Sequence, residues 1–483
     1  MATSKKCGVG SPSVQPHIQR GRLEFKKIIE EGKLMQDAPR VTPGGELVLP
    51  KLSLKDGLVT IPLTRTIKRW EMRNATFLFA GDPDGSRESY IESNEKAKKR
   101  GVKDPENTNA IGQFQLLVKT SKMGAYSFNL PAGPASLNSL GTCPISAMHW
   151  PISRCHVGEP DLVPGSELPP TAIKVDLNEL PVVREQEKDW ICADCYAMKG
   201  NYGNPSMIIG GELKRQFVEK YGELEKHKKG LGSRCLADVL EMSIRWGQVK
   251  SIRALQNLKG QIDKDTGLEL SVFVQRPEYF RIHDAGDFGL GDWYVEAWFD
   301  VARRLSKQHH VRIPEKVTVR TPVEWIYHGA TSGEMMTLPP VTLWAATRAW
   351  GVNKGLQKRM VSGDSGPQGK NLVVRPSALY FGDKPPSLNG QKIEIGNRRF
   401  KVAGYAQGSS GDCLDKGVEM LGDFVCPAYT PLDPSKPRVV PGACLLSRGL
   451  GWESDPNALP APLGKGCRVC WDHPDKSVVY VRH

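Results

Sequence analysis

Residues 280–286 read FRIHDAG, residues 341–347 read VTLWAAT, and residues 371–381 read NLVVRPSALYF. Each is a short apolar or β-branched run that ends in polar or small residues. Between the first two lies DWYVEAWFDVARRL (292–305), whose apolar positions recur at helical spacing. KVTVRT (316–321) reads as a further strand and Val323 to His328 as a further helix. Strand and helix in alternation point to parallel strands with covering helices. A β/α barrel and an open sheet both satisfy that pattern.

Upstream, residues 207–226 and 234–258 also carry helical spacing, with Leu236, Val239, Leu240, Ser243, Ile244 and Gly247 on one face of the second helix. Residues 58–80 and 113–137 contain strand-like runs. The segment 391–405 alternates around Gly396-Asn397, a hairpin signal. The chain divides into a basic N-terminal arm (1–57, with a short helix expected around Leu23 to Leu34), an α/β core (58–405) and a small Cys-rich C-terminal unit (406–483). Two surface insertions interrupt the core: a charged one at 81–107 and a Pro-rich, acidic one at 156–189.

The 483 residues carry a net charge of +13, which favours polyanionic partners, nucleic acid first among them. No apolar run is long enough to span a bilayer, and the N-terminus has no apolar segment after its lysines. The expectation is a cytoplasmic chain without a membrane partner. In a reducing compartment, clustered cysteines read as metal ligands rather than disulfides.

Eight of the 11 cysteines repeat one grammar. Cys143-Pro144, then Cys155, then Cys192-x-x-Cys195-Tyr196 is matched by Cys426-Pro427, then Cys444, then Cys467-x-x-Cys470-Trp471. The gaps are 11 and 36 residues in the first group and 17 and 22 in the second. A CxxC places two thiolates within reach of one metal, and two distant cysteines complete a four-thiolate shell. Zinc sites of this type favour two facing CxxC pairs. One close pair with dispersed partners and an adjacent Pro fits a [4Fe–4S] cluster at each site better, with structural zinc as the alternative. Of the remaining cysteines, Cys235 lies in an amphipathic helix and reads as a core thiol. Cys413 is a reserve ligand for Cys444.

RIHDAGDF gathers Arg281, His283, Asp284 and Asp287 at the end of a strand, where α/β proteins place active sites. On a continuing strand Arg281 and His283 share a face. They are the candidate catalytic groups. The bland alternative has the aspartates capping the next helix and Arg281 paired with one of them. Arg320 and Arg348 end the next two strands and are candidate anion-binding groups. Most tryptophans fall at core spacing.

The motifs NLPAG, TCP, CYAMKGNYGNP, FRIHDAGDF, YVEAWFDVA, CPAY and CRVCW, spread over roughly 125–471, resemble the "gene product 88"-like domain of mycobacteriophages and related mobile elements. CYA closing a CxxC is also similar to radical S-adenosylmethionine enzymes. That likeness implies a partial, TIM-like β/α barrel with a cluster at its mouth. The first group departs from that superfamily's CxxxCxxC, and a closed shell of four cysteines would leave no iron open for S-adenosylmethionine. Gly210-Gly211-Glu212 superficially matches a cofactor-binding signature, but it opens a helix soon after Cys195. The resemblance implies the architecture and a phage or plasmid origin; together with the cysteine grammar and the net charge, the expectation is an iron–sulfur protein of that type acting with nucleic acid. A zinc-stabilised nucleic-acid-binding protein and a virion structural or assembly protein are the alternatives.

Overall fold

The computed structural model describes residues 39–50, 52–68, 111–119, 124–132, 205–264, 269–313, 333–349 and 371–377, with shorter stretches that include 27–28, 142–143, 469–472 and 478–480. In chain order the strands are β1 (Arg40–Val41), β2 (Leu47–Val48), β3 (Ser53–Lys55), β4 (Leu58–Ile67), β5 (Ile111–Gln115), β6 (Leu117–Lys119) and β7 (Tyr126–Phe128). Helices α1 (Pro205–His227) and α2 (Leu231–Leu258) follow, then β8 (Tyr279–Ile282), α3 (Asp292–Leu305), β9 (His309–Ile313), β10 (Glu334–Leu338), β11 (Thr342–Thr347) and β12 (Leu372–Pro376). The remaining elements are β13 (Asn389–Ile395), β14 (Arg398–Ala403), β15 (Gln407–Ser409), β16 (Phe424–Val425), a short α4 (Val469–Asp472) and β17 (Val478–Tyr480).

The fold is mixed α/β. Its centre is a five-stranded sheet in the order β12-β11-β8-β7-β6. Strands β7, β8, β11 and β12 are parallel and adjacent in the order they occur in the chain, while β6 pairs antiparallel with β7. Register places Ser127 and Trp344 on either side of Arg281, and Ala346 beside Arg375. Because side chains alternate along a strand, this register gives the sheet two unlike faces. One carries Phe128, Phe280, Ile282, Leu343, Ala345 and Val374, all buried. The other carries Ser127, Tyr279, Arg281, Trp344 and Arg375.

Helix α3 covers the apolar face. Tyr294, Val295, Ala297, Trp298, Val301, Ala302 and Leu305 form its buried stripe. Trp298 packs edge-on to Phe128 at 5.6 Å and stacks on Phe280 at 5.9 Å. Helix α2 lies beside α3, and the seam between them holds charges. Arg304 pairs with Asp238 and Asp300 and reaches Glu241 at 3.5 Å. Arg245, 1% exposed, lies 3.7 Å from Glu241 and donates to the Arg304 carbonyl. Cys235 is buried in α2, and burial first, then Asp238, pushes its thiol up to about 11, which suits a core thiol.

A second, antiparallel sheet, β3-β4-β5, rests on α2 through the buried start of β4 (Leu58 to Ile61). The boundary read at residue 57 falls in the turn of this sheet, since Lys55 pairs with Leu58 across Asp56-Gly57. Lys27 and Ile28, inside the helix expected in the arm, are helical, and Ile28 joins the main core. The hairpin read at Gly396-Asn397 is present: Ile395 pairs with Arg398 across those two residues. The antiparallel pair β9–β10, which lies between α3 and β11 in the chain, was not legible in the sequence. The expected strand at 316–321 and helix at 323–328 lie outside the described residues, as do both surface insertions apart from a few residues of the first. No described helix is long and apolar enough to cross a membrane.

Lys214 on α1 is 4% exposed. Its ammonium donates to the Leu116 carbonyl at 2.9 Å and lies over the Phe128 ring, and no described carboxylate meets it. Burial lowers it to about 7 from an ordinary 10.5. Between those values the unfolded chain binds the extra proton, so stability rises with pH across that window. Lys214→Met is expected to remove this rise and to stabilise the protein by about 1–3 kcal/mol near neutral pH, measured by denaturant unfolding across the window.

Candidate functional site on the polar face of the central sheet

The site begins with the alternation in β8. Phe280 and Ile282 point to the helices, leaving Tyr279 and Arg281 on the opposite face. The Arg281 guanidinium stacks over the Trp344 ring at 4.7 Å and forms an ion pair with Asp284. Asn129, just past β7, holds the other side of this pair. Its Oδ1 accepts from the Asp284 backbone N–H at 3.0 Å and from the Ser127 hydroxyl at 3.1 Å. Ser127, Asn129, Arg281 and Asp284 thus form one connected polar group over two neighbouring strands.

His283 does not join it. The residue adopts a left-handed backbone, φ 61°, which ends the strand and swings the ring to the apolar side. Its Nε2 lies 2.7 Å from the Tyr294 hydroxyl, and Phe288, Tyr294 and Trp298 surround the ring at 4.8 to 6.2 Å. The expected shared face with Arg281 is therefore corrected: it requires extended geometry through residue 283. Burial first, and the Arg281 charge second, lower the imidazole to about 3. It is a neutral core histidine at physiological pH.

Asp287 is also inside. Its carboxylate accepts from the Thr347 hydroxyl at 2.5 Å and from the backbone N–H groups of Phe288 (2.7 Å), Arg348 (2.7 Å) and Ala349 (3.2 Å). Burial raises its pKa, while these donors and the Arg348 charge act the other way. Asp287 thereby ties the loop after β8 to the end of β11, and it does not cap α3, whose N-cap position is Gly291. Arg348 enters this link through its main chain. Arg320 lies outside the described residues.

The same loop fixes the first cysteine. Gly286 has φ 95°, and a Cβ there would stand 2.8 Å from the Leu130 carbonyl and from the Thr142 hydroxyl. That close approach lets Thr142 Oγ1 accept from the Asp287 N–H at 3.0 Å. Cys143, next in the chain and buried, donates its N–H to the Ala132 carbonyl at 3.1 Å. Cys143 therefore sits at the C-terminal end of β7 and β8.

A cysteine of the second group approaches the same sheet across the polar face. On α4, the Cys470 carbonyl accepts from Arg375 Nε at 3.3 Å. Trp471 packs on Tyr279 (5.2 Å) and Trp344 (5.6 Å), and its indole N–H donates to the Phe280 carbonyl at 3.1 Å. Both residues are buried. Cys155, Cys192, Cys195, Cys426, Cys444, Cys467 and the reserve Cys413 lie outside the described residues. Among the described residues no three His, Cys, Asp or Glu side chains converge on one point. Glu212 of the Gly210-Gly211-Glu212 motif lies within α1, where Arg215 Nε donates to it at 2.9 Å.

Sequence reasoning did not single out Ser127, Asn129 and Arg375. The available signal was a lone arginine inside the apolar run LVVRP, fully buried in the structure.

His283→Ala is expected to lower stability by about 2–4 kcal/mol at neutral pH, through the cavity it leaves. It should also flatten the acid limb. Between 6.5 and about 3 the unfolded chain binds the proton that folded His283 refuses, so wild-type stability falls as pH falls through that window. Urea unfolding of both proteins across that range checks both effects. Trp471→Phe, which keeps a ring and removes the N–H, should destabilise by about 1 kcal/mol and speed hydrogen exchange at residues 469–472. No protein-family model, curated protein or solved structure matches this chain.

Proposed function

We propose that this chain is an iron–sulfur protein of phage or mobile-element type that acts with nucleic acid. Its central sheet belongs to a partial β/α barrel whose inner surface is the polar face. The observation that carries the reading is that Cys143 and Cys470, one from each repeated quartet, are both buried, the first hydrogen-bonded to Ala132 after β7 and the second to Arg375 of β12. The thiolate donors suit soft metals and iron–sulfur clusters. Arg281 and Arg375 on the same face offset the negative charge that a four-thiolate cluster brings. The four parallel strands adjacent in chain order are what barrel winding requires.

Cys143, Cys155, Cys192 and Cys195 hold one cluster, and Cys426, Cys444, Cys467 and Cys470 hold the other. When bound, such clusters supply one-electron chemistry. Arg281, held by stacking on Trp344 and by Asp284, presents a fixed cation to an anionic ligand. Asn129 and Ser127 orient that pair. His283 and Asp287 act at one remove, shaping the end of the sheet. The net charge of +13 supports a polyanionic partner.

Anaerobic purification with iron and acid-labile sulfide analysis tests the reading. The expected result is a brown protein with about eight iron and eight sulfide per chain, falling by about half in Cys143→Ser and in Cys470→Ser. Zinc without sulfide, or a colourless protein with neither, overturns it.

A further inference from the structure

Helices α1 and α2 form an antiparallel hairpin whose tip reads KHKKGLGSR (226–234). Lys226, His227, Lys228, Lys229 and Arg234 are all exposed there. The nearby carboxylates are already engaged. Glu223 pairs with Lys220, Asp238 pairs with Arg304, and Glu225 accepts from the backbone N–H groups of Gly230 (2.6 Å) and Ser233 (3.1 Å). No described carboxylate forms an ion pair with Lys226, Lys228, Lys229 or Arg234. Four cations within nine residues therefore face solvent.

The tip is also closed by hydrogen bonds and tight packing. Gly230 takes a left-handed turn (φ 79°), closed by Leu231 N–H to the Lys228 carbonyl at 3.0 Å and by Arg234 Nε to the Gly230 carbonyl at 2.8 Å. Gly232 presses against the first helix so closely that a Cβ would stand 1.9 Å from the Tyr221 carbonyl. Beneath the tip, Tyr221, Leu224, Cys235 and Leu236 are buried. A charge run on a flexible tail needs no such support. Here the cations are mounted on the longest pair of helices in the described structure.

We propose that this hairpin tip is a nucleic-acid docking surface that grips the phosphate backbone without reading sequence. The proposal rests on the reading that the chain acts with nucleic acid and assigns the contact to particular residues. Lys226, Lys228, Lys229 and Arg234 gather four positive charges on one exposed turn, complementary to the charge of a phosphate backbone. Lysines dominate it, which suits point-charge contacts to phosphate rather than bidentate base readout. Its only large apolar residue, Leu231, is half-buried and packed against the core, so the tip offers no apolar wedge for a lipid surface.

The test compares three full-length proteins binding a fluorescent random-sequence DNA duplex, the matching RNA duplex and single strands over a series of salt concentrations. They are the wild type, the triple variant Lys226→Gln, Lys228→Gln, Lys229→Gln, and a control, Lys259→Gln, Lys264→Gln, Lys307→Gln, which removes the same charge from other exposed positions. Circular dichroism verifies that each is folded. The tip variant should bind at least tenfold more weakly than wild type. Its plot of log affinity against log salt should flatten by about 2–3, since each lost phosphate contact removes about 0.9. The control should lose less than threefold. A tip variant that binds like the control, while wild type binds with a steep salt slope, overturns the tip assignment and leaves the nucleic-acid reading standing. A wild type that binds none of the nucleic acids at low salt overturns both. Tip-dependent binding to phosphatidylserine vesicles without binding to nucleic acid assigns the surface to a membrane instead, and overturns the proposal.

Discussion

The pairing of β8 between β7 and β11 is the constraint on which the rest depends. It sets Phe280 and Ile282 against Trp298 and puts Arg281 between Ser127 and Trp344. A slip of one residue would exchange the faces, driving a guanidinium into the aromatic layer under α3 and exposing two large apolar side chains. The apolar side holds the register because several buried aromatic and branched residues would lose their contacts together. The polar group on the other side is a consequence of that register, held in place by packing it does not share.

Parallel sheets are ordinarily covered on both faces by apolar layers. This one is not. Arg375 and Ser127 are fully buried, and Asn129 is nearly so, on a face where leucine or valine would pack at lower free energy. Each of these groups has a specific partner: Asn129 for Ser127 and Asp284, the Cys470 carbonyl for Arg375. Buried polar groups satisfied in this way contribute specificity more than stability. They set where α4 lands, because Arg375 fixes the Cys470 carbonyl and the Trp471 indole finds a carbonyl of β8.

Much of the central architecture was legible in the sequence because it rests on periodicity. Helix α3 runs from Asp292 to Leu305 as its apolar spacing requires, and the Gly396-Asn397 hairpin follows from turn chemistry. What periodicity could not supply was the end of β8. Alternation places His283 beside Arg281 only while the backbone stays extended, and one left-handed residue reverses the outcome. Asp287 was legible as an important residue but not in its role, since three of its donors come from the end of β11 and the two residues after it, some 60 residues away in the chain. The pair β9–β10 escaped because HHVRI and EMMTL are short and their polar residues mask the alternation.

Cys143 and Cys470 meet the sheet by different physics, and this bears on how metal binding would couple to the fold. Thr142 and Cys143 donate their backbone N–H groups to Pro131 and Ala132, and Thr142 packs against Gly286, a position determined by the core whether or not a metal is bound. Cys470 stands on a single turn of helix, held among the described residues through the Trp471 indole and the Arg375 guanidinium. Thiolate–metal bonds contribute folding free energy outright in small units of this kind. On the proposed reading, the first site is thus preorganised by the core and the second is organised largely by its own metal. Loss of metal would then release α4 from the polar face while leaving β7, β8 and β11 paired. The sheet would persist, and the lining of its polar side would depend on the occupancy of the second site.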